Sequence, residues 1–345
     1  MAENEVQRTT LANIAGQLGV STATVSKVVN GRDDVAADTR ERVLEALRDA
    51  GYRSPGQRRR AEQSGPMIDV VFDALNSAYS TTLLTGVLDE AAASGVDAVV
   101  SVIGSGRTAA ADLARRSQRM VERGRSGLIV ITSAYSASLL RPFGERGLPV
   151  VVVDRMNPPP SGVVSVGATN WAGGRAAAEH LIALGHLRIG YVGGIQHSDC
   201  NEARFHGFVA ALSAHGIPTR PELIMHGTFR KRFGEAAGST LLALPEPPTA
   251  VFCGNDRIAL GIMTEARRRG VPVPEQLSIV GFDGTYEARH SVPALTSVTQ
   301  PLHEMGAAAV RALLRRIQGE QPGSHRVELA TELVVRESTG PAPAK

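Results

Sequence analysis

The stretch LANIAGQLGVSTATVSKVVNGRDDVAADTRERVLEALRDAGY, residues 11–52, decides how the N-terminal part of the chain folds. Leu11, Ile14, Ala15 and Leu18 recur at helical spacing, which predicts a short amphipathic helix over Leu11–Leu18. Gly19 supplies the backbone freedom of a sharp turn, and Val20 plugs that turn with an apolar side chain. Ser21 is a strong N-cap for a second helix, Thr22–Val29, with Val25 and Val28 turned inward. Asn30-Gly31 ends it. A third helix carries Val43, Leu44 and Leu47 on one side and stops at Gly51. Two short helices joined by a tight glycine turn and braced by a third form the helix-turn-helix pattern. The second helix exposes Thr22, Ala23, Ser26 and Lys27, whose sizes suit a major groove, where bases are read by hydrogen bonds and thymine-methyl contacts. A plain three-helix bundle with a solvated polar face is the other reading, and the pattern alone leaves both open.

Particular segments reach further. GVSTATVSKVVNG (19–31) followed by TRERVLEALRDAGYR (39–53) closely resembles the DNA-binding headpiece of the LacI/GalR family of bacterial repressors. VVVDR (151–155), HLIALGH (180–186), ARFHGF (203–208), AVFCGNDRIALG (250–261), LSIVGFDGT (277–285) and PALTSVTQP (293–301) continue the resemblance in order, over roughly residues 10 to 340. It implies a homodimeric transcriptional regulator, most often a repressor, on a pseudo-palindromic double-stranded operator. It adds Thr10, Ser21, Thr24 and Asn30 to Thr22, Ala23, Ser26 and Lys27 as expected DNA contacts.

At 345 residues the chain allows two or three domains, and 43% hydrophobic residues is ample for a buried core. Only 4% of residues are aromatic, so that core is built mainly from Ala, Val, Leu and Ile. No apolar run reaches the roughly 18 residues of a membrane span. MAENEVQRTT lacks the basic and apolar regions of a signal peptide, so a cytoplasmic protein is expected, without membrane partners. Cys200 and Cys253 lie too far apart for a metal-ligand pattern, and free thiols are expected of them.

The formal charge is only +3, and residues 1–65 hold ten Lys/Arg against nine Asp/Glu. Placement matters more: Arg53, Arg58, Arg59 and Arg60 meet no acid until Glu62, a run that can face phosphates or simply solubilise a linker. RSPGQRRRAEQSGP (53–66) is a linker by composition. In the resembled family this segment forms a hinge helix whose leucine wedges into the minor groove. Here Ser54-Pro55-Gly56 replaces the usual start, and the wedge position falls near Arg60 or Ala61. Ala61 is too small to unstack a base step. Arginine in a narrow minor groove is an electrostatic substitute, so Arg58, Arg59 and Arg60 are expected DNA contacts.

From Met67 the texture changes. IDVVF (68–72), VDAVVSV (96–102), GLIVIT (127–132) and PVVVVD (149–154) read as buried parallel strands, with amphipathic segments such as Thr82–Ala93 and Ala109–Arg123 between them. The alternation resumes with SVGAT (165–169), helix Trp171–Leu184, RIGYVGG (188–194), helix Ala203–His215 and LIMHG (223–227). A helix around Phe233–Leu244, AVFCG (250–254), helix Asp256–Gly270 and LSIVGFD (277–283) complete it. Repeated strand-helix alternation predicts doubly wound parallel sheets. The expected fold class is an all-α helix-turn-helix headpiece plus an α/β, two-lobed, periplasmic-binding-protein-like domain. The expected domains are a headpiece at 1–53, a linker at 54–67 and an effector and dimerisation domain at 68–340. The resemblance implies lobes of about 68–166 plus 298–329, and 167–297 plus 330–339, and the end of the chain, GPAPAK with its tail 341–345, is expected to be disordered.

Ligands of open parallel sheets sit beyond the carboxyl ends of strands. Asp73, Asp154, Asn255, Asp256 and Asp283 stand at those ends, and a cleft lined with carboxylates and amides suits the hydroxyls of a sugar. The resemblance implies that Arg204 and Asn255 bind sugar hydroxyls with Asp283, that Phe229 stacks on the sugar ring, and that Asp154 and Tyr79 join the cleft. Other readings stand beside these. Asp256 opens a helix and reads as its N-cap, Phe229 reads equally as core, and Asp73 as the cap of a turn.

No Walker lysine motif, GxSxG elbow or HExxH occurs, and nine histidines are scattered without paired spacing. Catalytic residues, metal ligands and cofactors are therefore not expected. GATNWAGG (167–174) lacks the GxGxxG spacing of a phosphate loop, and small residues packing a helix on a strand explain it. A secreted sugar carrier would lack the headpiece, and an enzyme of sugar metabolism would turn its sugar over. The effector expected is a sugar or short oligosaccharide, a plant-wall xylo-oligosaccharide being one candidate.

Overall fold

The computed structural model describes residues 10–29, 32, 34–49, 65–103, 107–131, 139–154 and 163–344, in two compact units, the second starting at Met67. Asn30, Gly31, Gly51 and the linker arginines Arg58, Arg59 and Arg60 lie outside the described residues.

The first unit contains α1 (Leu11–Leu18), α2 (Thr22–Val29) and α3 (Ala37–Asp49). Thr10 caps α1 by accepting from the Asn13 N–H at 3.3 Å, and Ser21 Oγ accepts from the Thr24 N–H at 3.0 Å. Gly19 between them has φ +66°, a left-handed conformation that glycine reaches without steric cost. Ile14, Ala15, Val25, Val28, Val43 and Leu47 form the small core. Leu44 departs from the expectation and is 42% exposed. One residue rotates a helix by about 100°, so Leu44 leaves the seam that Val43 and Leu47, four apart, share.

The second unit holds two six-stranded sheets. In chain order the first lobe contributes β1 (Met67–Phe72), α4 (Ala78–Ala93), β2 (Asp97–Val102), α5 (Arg107–Glu122), β3 (Gly127–Ile131), α6 (Arg141–Gly144), β4 (Val150–Val153) and β5 (Val164–Ala168). The second contributes α7 (Asn170–Ala183), β6 (Ile189–Gly193), α8 (Asp199–Ala214), β7 (Ile224–His226), α9 (Lys231–Leu241), β8 (Ala250–Cys253), α10 (Asp256–Arg268), β9 (Ser278–Asp283), α11 (Tyr286–Arg289) and β10 (Thr296–Thr299). The chain then returns to the first lobe for α12 (Leu302–Ile317) and β11 (Arg326–Leu329), and ends in the second with β12 (Glu332–Val334). The strand orders are β11-β5-β4-β3-β1-β2, all parallel, and β12-β10-β9-β8-β6-β7, parallel except for β12.

Alternation along each buried strand feeds two cores per sheet. Ile68, Val70 and Phe72 of β1 face one cluster with α4 and α12, while Val71 joins Val150, Val152 and Phe143 on the other side. Helix α4 starts four residues before the expected Thr82 because Ser77 and Ser80 close a capping box.

Three helix pairs approach through reciprocal glycines. A Cβ at Gly86 would lie 1.9 Å from the His303 carbonyl oxygen, and one at Gly306 would lie 2.3 Å from that of Leu83, fixing α4 on α12. Gly174 and Gly207 do the same for α7 and α8, as do Gly234 and Gly261 for α9 and α10. Gly173, in the run expected to pack a helix on a strand, does rest on Phe282 and Val298, but its neighbour Gly174 packs on a helix.

The tail also departs from the expectation. His186, fully buried, shares its ring nitrogens among Thr249 Oγ1 (2.9 Å), Ser278 Oγ (3.0 Å) and the Gly340 carbonyl (3.1 Å). The Ala342 N–H donates to the Leu184 carbonyl at 2.8 Å. Hydrogen bonds to a buried side chain and a helix C-terminus give residues 340–342 a fixed place that composition does not reveal.

Candidate functional site

On the first unit, Thr22 and Ala23 are exposed at the start of α2. Ser21 and Thr24 share a side-chain hydrogen bond of 2.8 Å at the cap, and Thr10 is likewise engaged as a cap. Lys27 is exposed and pairs with Asp34 at 2.6 Å, a contact that lowers the Asp34 pKa. Ser26 is half-buried.

On the second unit the chain passes between the lobes three times, at 168–170, 299–302 and 329–332. The first and third passages are pinned together: Thr169 and Thr331 hydroxyls lie 2.9 Å apart, and the Thr169 N–H donates to the Leu329 carbonyl at 2.9 Å. At the second, Gln300 donates through Nε2 to Asp283 Oδ1 at 2.8 Å.

Beside these passages lies a buried polar cluster. Arg204, from α8, is 2% exposed and stacks on the Phe282 ring at 3.7 Å. Its Nε donates to Asn170 Oδ1 at 2.8 Å, and its Nη1 donates to the Gly254 carbonyl at 2.6 Å and lies 3.8 Å from Asp283 Oδ1. From the first lobe, Asp154 accepts the Tyr79 hydroxyl on Oδ2. Burial raises the Asp154 and Asp283 carboxyls above the usual range, and Arg204 opposes both shifts. Burial and then the Asp154 charge push the Tyr79 hydroxyl well up. Asp154 (φ +49°) and Asp283 (φ +107°) are the non-glycine residues with positive φ among those described. Such backbone strain concentrates at ligand clamps.

The structure therefore brings Tyr79, Asp154, Arg204 and Asp283 together. Asn255 adjoins them through Gly254, but its Oδ1 caps α10 by accepting from the Ile258 N–H at 2.9 Å. This corrects the reading of Asp256 as that cap. Asp256 sits one position inside the helix, where its carboxylate accepts from Thr285 N–H (2.7 Å), Thr285 Oγ1 (2.9 Å) and Ser297 Oγ (2.6 Å). Burial lifts its pKa to about 6 against those hydrogen bonds. Phe229 is half-buried, packs on the second-lobe core and covers Gly194, where a Cβ would meet its ring at 2.2 Å. Asp73 is half-buried just past the end of β1, before the Ser77 cap of α4.

Sequence reasoning missed Asn170, Asn201 and Gln300. Asn201 accepts from the Tyr191 hydroxyl (3.0 Å) and the Gly194 N–H (2.8 Å), shaping the turn beneath Phe229. Asn170 lay in a run explained by its small residues, and the one polar amide among them was its signal. Among the described residues no helix is long and apolar enough to cross a membrane, and Cys200 and Cys253 are buried and free.

A helix-turn-helix unit joined to a two-lobed α/β domain with a polar cluster at facing strand ends defines a DNA-binding regulator of transcription. Residues 10–54 match the model of bacterial regulatory proteins of the lacI family, and 178–339 match the periplasmic binding protein-like domain. The chain is 31% identical over 353 residues to the HTH-type transcriptional repressor CytR of Escherichia coli K12, covering 99% of each. It is similar to the transcriptional regulator CelR–cellobiose complex (30% identity, TM-score 0.73, 96% of this chain and 100% of that one). The lac repressor dimer bound to operator and the anti-inducer ONPF is also similar (27% identity, TM-score 0.73, 96% and 99%). The chain belongs to the LacI family and is a DNA-binding transcriptional repressor of that family; its relatives are regulators rather than enzymes.

Proposed function

We propose that the protein is a cytoplasmic homodimer that binds a pseudo-palindromic operator through paired helix-turn-helix units, and that a sugar or short oligosaccharide bound between its lobes controls operator affinity. The observation that carries this reading is the Tyr79–Asp154 pair of one lobe facing the Arg204–Asp283 pair of the other, beside all three passages of the chain. A ligand held by both pairs favours one lobe arrangement, and it shifts DNA affinity only by its differential affinity for the two forms. The cellobiose complex of a neighbour and the operator-bound dimer of another support the reading. Dimer symmetry sets the half-site spacing.

Thr22 and Ala23 are the proposed base readers, with Lys27 and Ser26 behind them and Thr10, Ser21, Thr24 and Asn30 at the backbone. Arg58, Arg59 and Arg60 are proposed to meet phosphates, so their replacement by Gln lowers both affinity and its salt slope. Operator binding with and without a sugar panel at fixed salt tests the whole. Arg204→Ala or Asp283→Ala keeps operator affinity and loses the sugar response, each costing about 1.5–3 kcal/mol of ligand binding, roughly ten- to hundredfold. Normal sugar affinity in a destabilised Asp283→Ala protein removes that residue from the pocket.

A further inference from the structure

Helix α2, TATVSKVV, carries a single charged side chain, Lys27, and that charge is already met. Lys27 Nζ donates to Asp34 Oδ2 at 2.6 Å, and both side chains stay exposed. The main chain, rather than the ion pair, sets this geometry. The Arg32 N–H donates to the Lys27 carbonyl at 2.9 Å, and the Arg32 carbonyl accepts from the Arg40 guanidinium of α3. The backbone is thus turned back on the end of α2 and delivers residue 34 beside the ammonium. Lys27 also lies four residues after Ala23, on the face that this exposed residue presents. In water an exposed ion pair adds little to stability, so folding alone gives residue 34 little reason to be an acid. Next to DNA the balance differs. Phosphates repel a carboxylate, and a lysine freed from it is a mobile cation on a four-carbon stem that meets any phosphate in reach.

Resting on the placement of Lys27 at the operator, we infer that Asp34 is a positioning residue for sequence readout. It holds the Lys27 ammonium away from phosphates and aims its remaining donors at a base edge. An ammonium has three donors, and one is spent on Asp34. The two that remain suit the O6 and N7 acceptors that guanine presents in the major groove. The paired ammonium brings little net charge to a phosphate, so it releases few counterions and adds little to sequence-independent binding. Asp34 therefore lowers affinity for DNA in general and raises the preference for the operator, a specificity obtained by weakening the wrong complexes.

The test is a double-variant cycle in the full-length protein: Asp34→Ala, Lys27→Gln and the two combined. The parent and Lys27→Gln each select preferred sites from a randomised duplex pool. Every variant is then titrated over a salt series against the duplex selected by the parent and against poly(dI-dC). Asp34→Ala is expected to bind poly(dI-dC) more tightly, with a salt slope about 0.9 steeper, the mark of one added phosphate contact. Its preference for the selected duplex is expected to fall about tenfold. With Lys27→Gln already present, the slope change is expected to vanish, because no ammonium is left to release. Parent-like slope and preference in Asp34→Ala, whatever its melting temperature, overturn the inference while Lys27→Gln still shifts the selected sequence. An equal slope change in both backgrounds marks simple relief of repulsion and overturns it too. If Lys27→Gln leaves selected sequence, affinity and slope unmoved, Lys27 is removed from the operator and this inference falls with it.

Discussion

The Arg204 guanidinium donates to Asn170 Oδ1 at 2.8 Å, while the Asn170 amide donates to the Ala168 carbonyl at the end of β5. One amide thus ties the buried cation of α8 to a strand of the other lobe. Asn170→Ala leaves the guanidinium short of an acceptor in a dry site, which costs about 1–3 kcal/mol. The expected outcome is sugar affinity roughly tenfold weaker with operator affinity unchanged, and recovery in Asn170→Asp, which keeps the acceptor. A lower melting temperature with normal sugar affinity would make the contact purely structural.

Thr22 and Ala23 stand exposed at the first positions of α2, held there by the Ser21 cap. Changing either alters base preference at one operator position, with about 1–3 kcal/mol for each wrong base. Selection of binding sites by the double variant checks this, and an unchanged consensus would remove both from the readout.

The contact of α7 on α8 makes a third expectation. A methyl at Gly174 would lie 2.2 Å from the Arg204 carbonyl oxygen, backbone that cannot swing aside. Gly174→Ala is expected to destabilise by about 1–3 kcal/mol, as overpacked sites do, and to weaken the sugar response because the displaced backbone carries Arg204. Gly16→Ala, at a position with nothing within 4 Å, is the control and should melt no lower than the parent.

His186 gives a pH dependence. Burial lowers its pKa below the ordinary 6.5, against the pull of the Gly340 carbonyl. The unfolded chain therefore takes up this proton first, so the stability His186 contributes is full above about pH 6.5 and declines as pH falls below it. Melting curves from pH 7.5 to 5 should fall less steeply in His186→Gln than in the parent. Identical slopes would mean that the ring does not govern the acid sensitivity of the tail.

Local rules carried the sequence a long way where one residue decides a local event. Ser21 as a cap and Gly19 as the turn place α1 and α2 within the first unit, and β-branched runs mark the central strands of both sheets, whereas the Thr10 cap of α1 emerged only in the structure. They failed where the deciding partner is distant. Asn255 and Asp256 are both good caps, and only the presence of Thr285 and Ser297, some 30 to 40 residues on, shows that Asp256 is taken. The tail reads as disordered until His186 is placed under it. RVEL is short and exposed and ELV short and half-buried, so nothing in their own pattern assigns β11 to one sheet and β12 to the other, and only the resemblance put them in different lobes. In the cluster, Arg204 and Asp283 were legible through the resemblance, whereas Asn170 and Gln300 act through partners 34 and 17 residues away.

The return of the chain to the first lobe bears on biosynthesis. The first sheet closes only when β11, at Arg326–Leu329, pairs with β5, and the second only when β12, at Glu332–Val334, pairs with β10. A ribosome releases residues 10–49 long before either edge exists, so the DNA-reading unit is complete on nascent chains whose lobes are not. A nonsense codon anywhere between Gly270 and Arg326 would leave that unit attached to two unfinished sheets. Truncation products of this gene are thus expected to be cleared as misfolded chains rather than to persist as small, sugar-blind DNA binders.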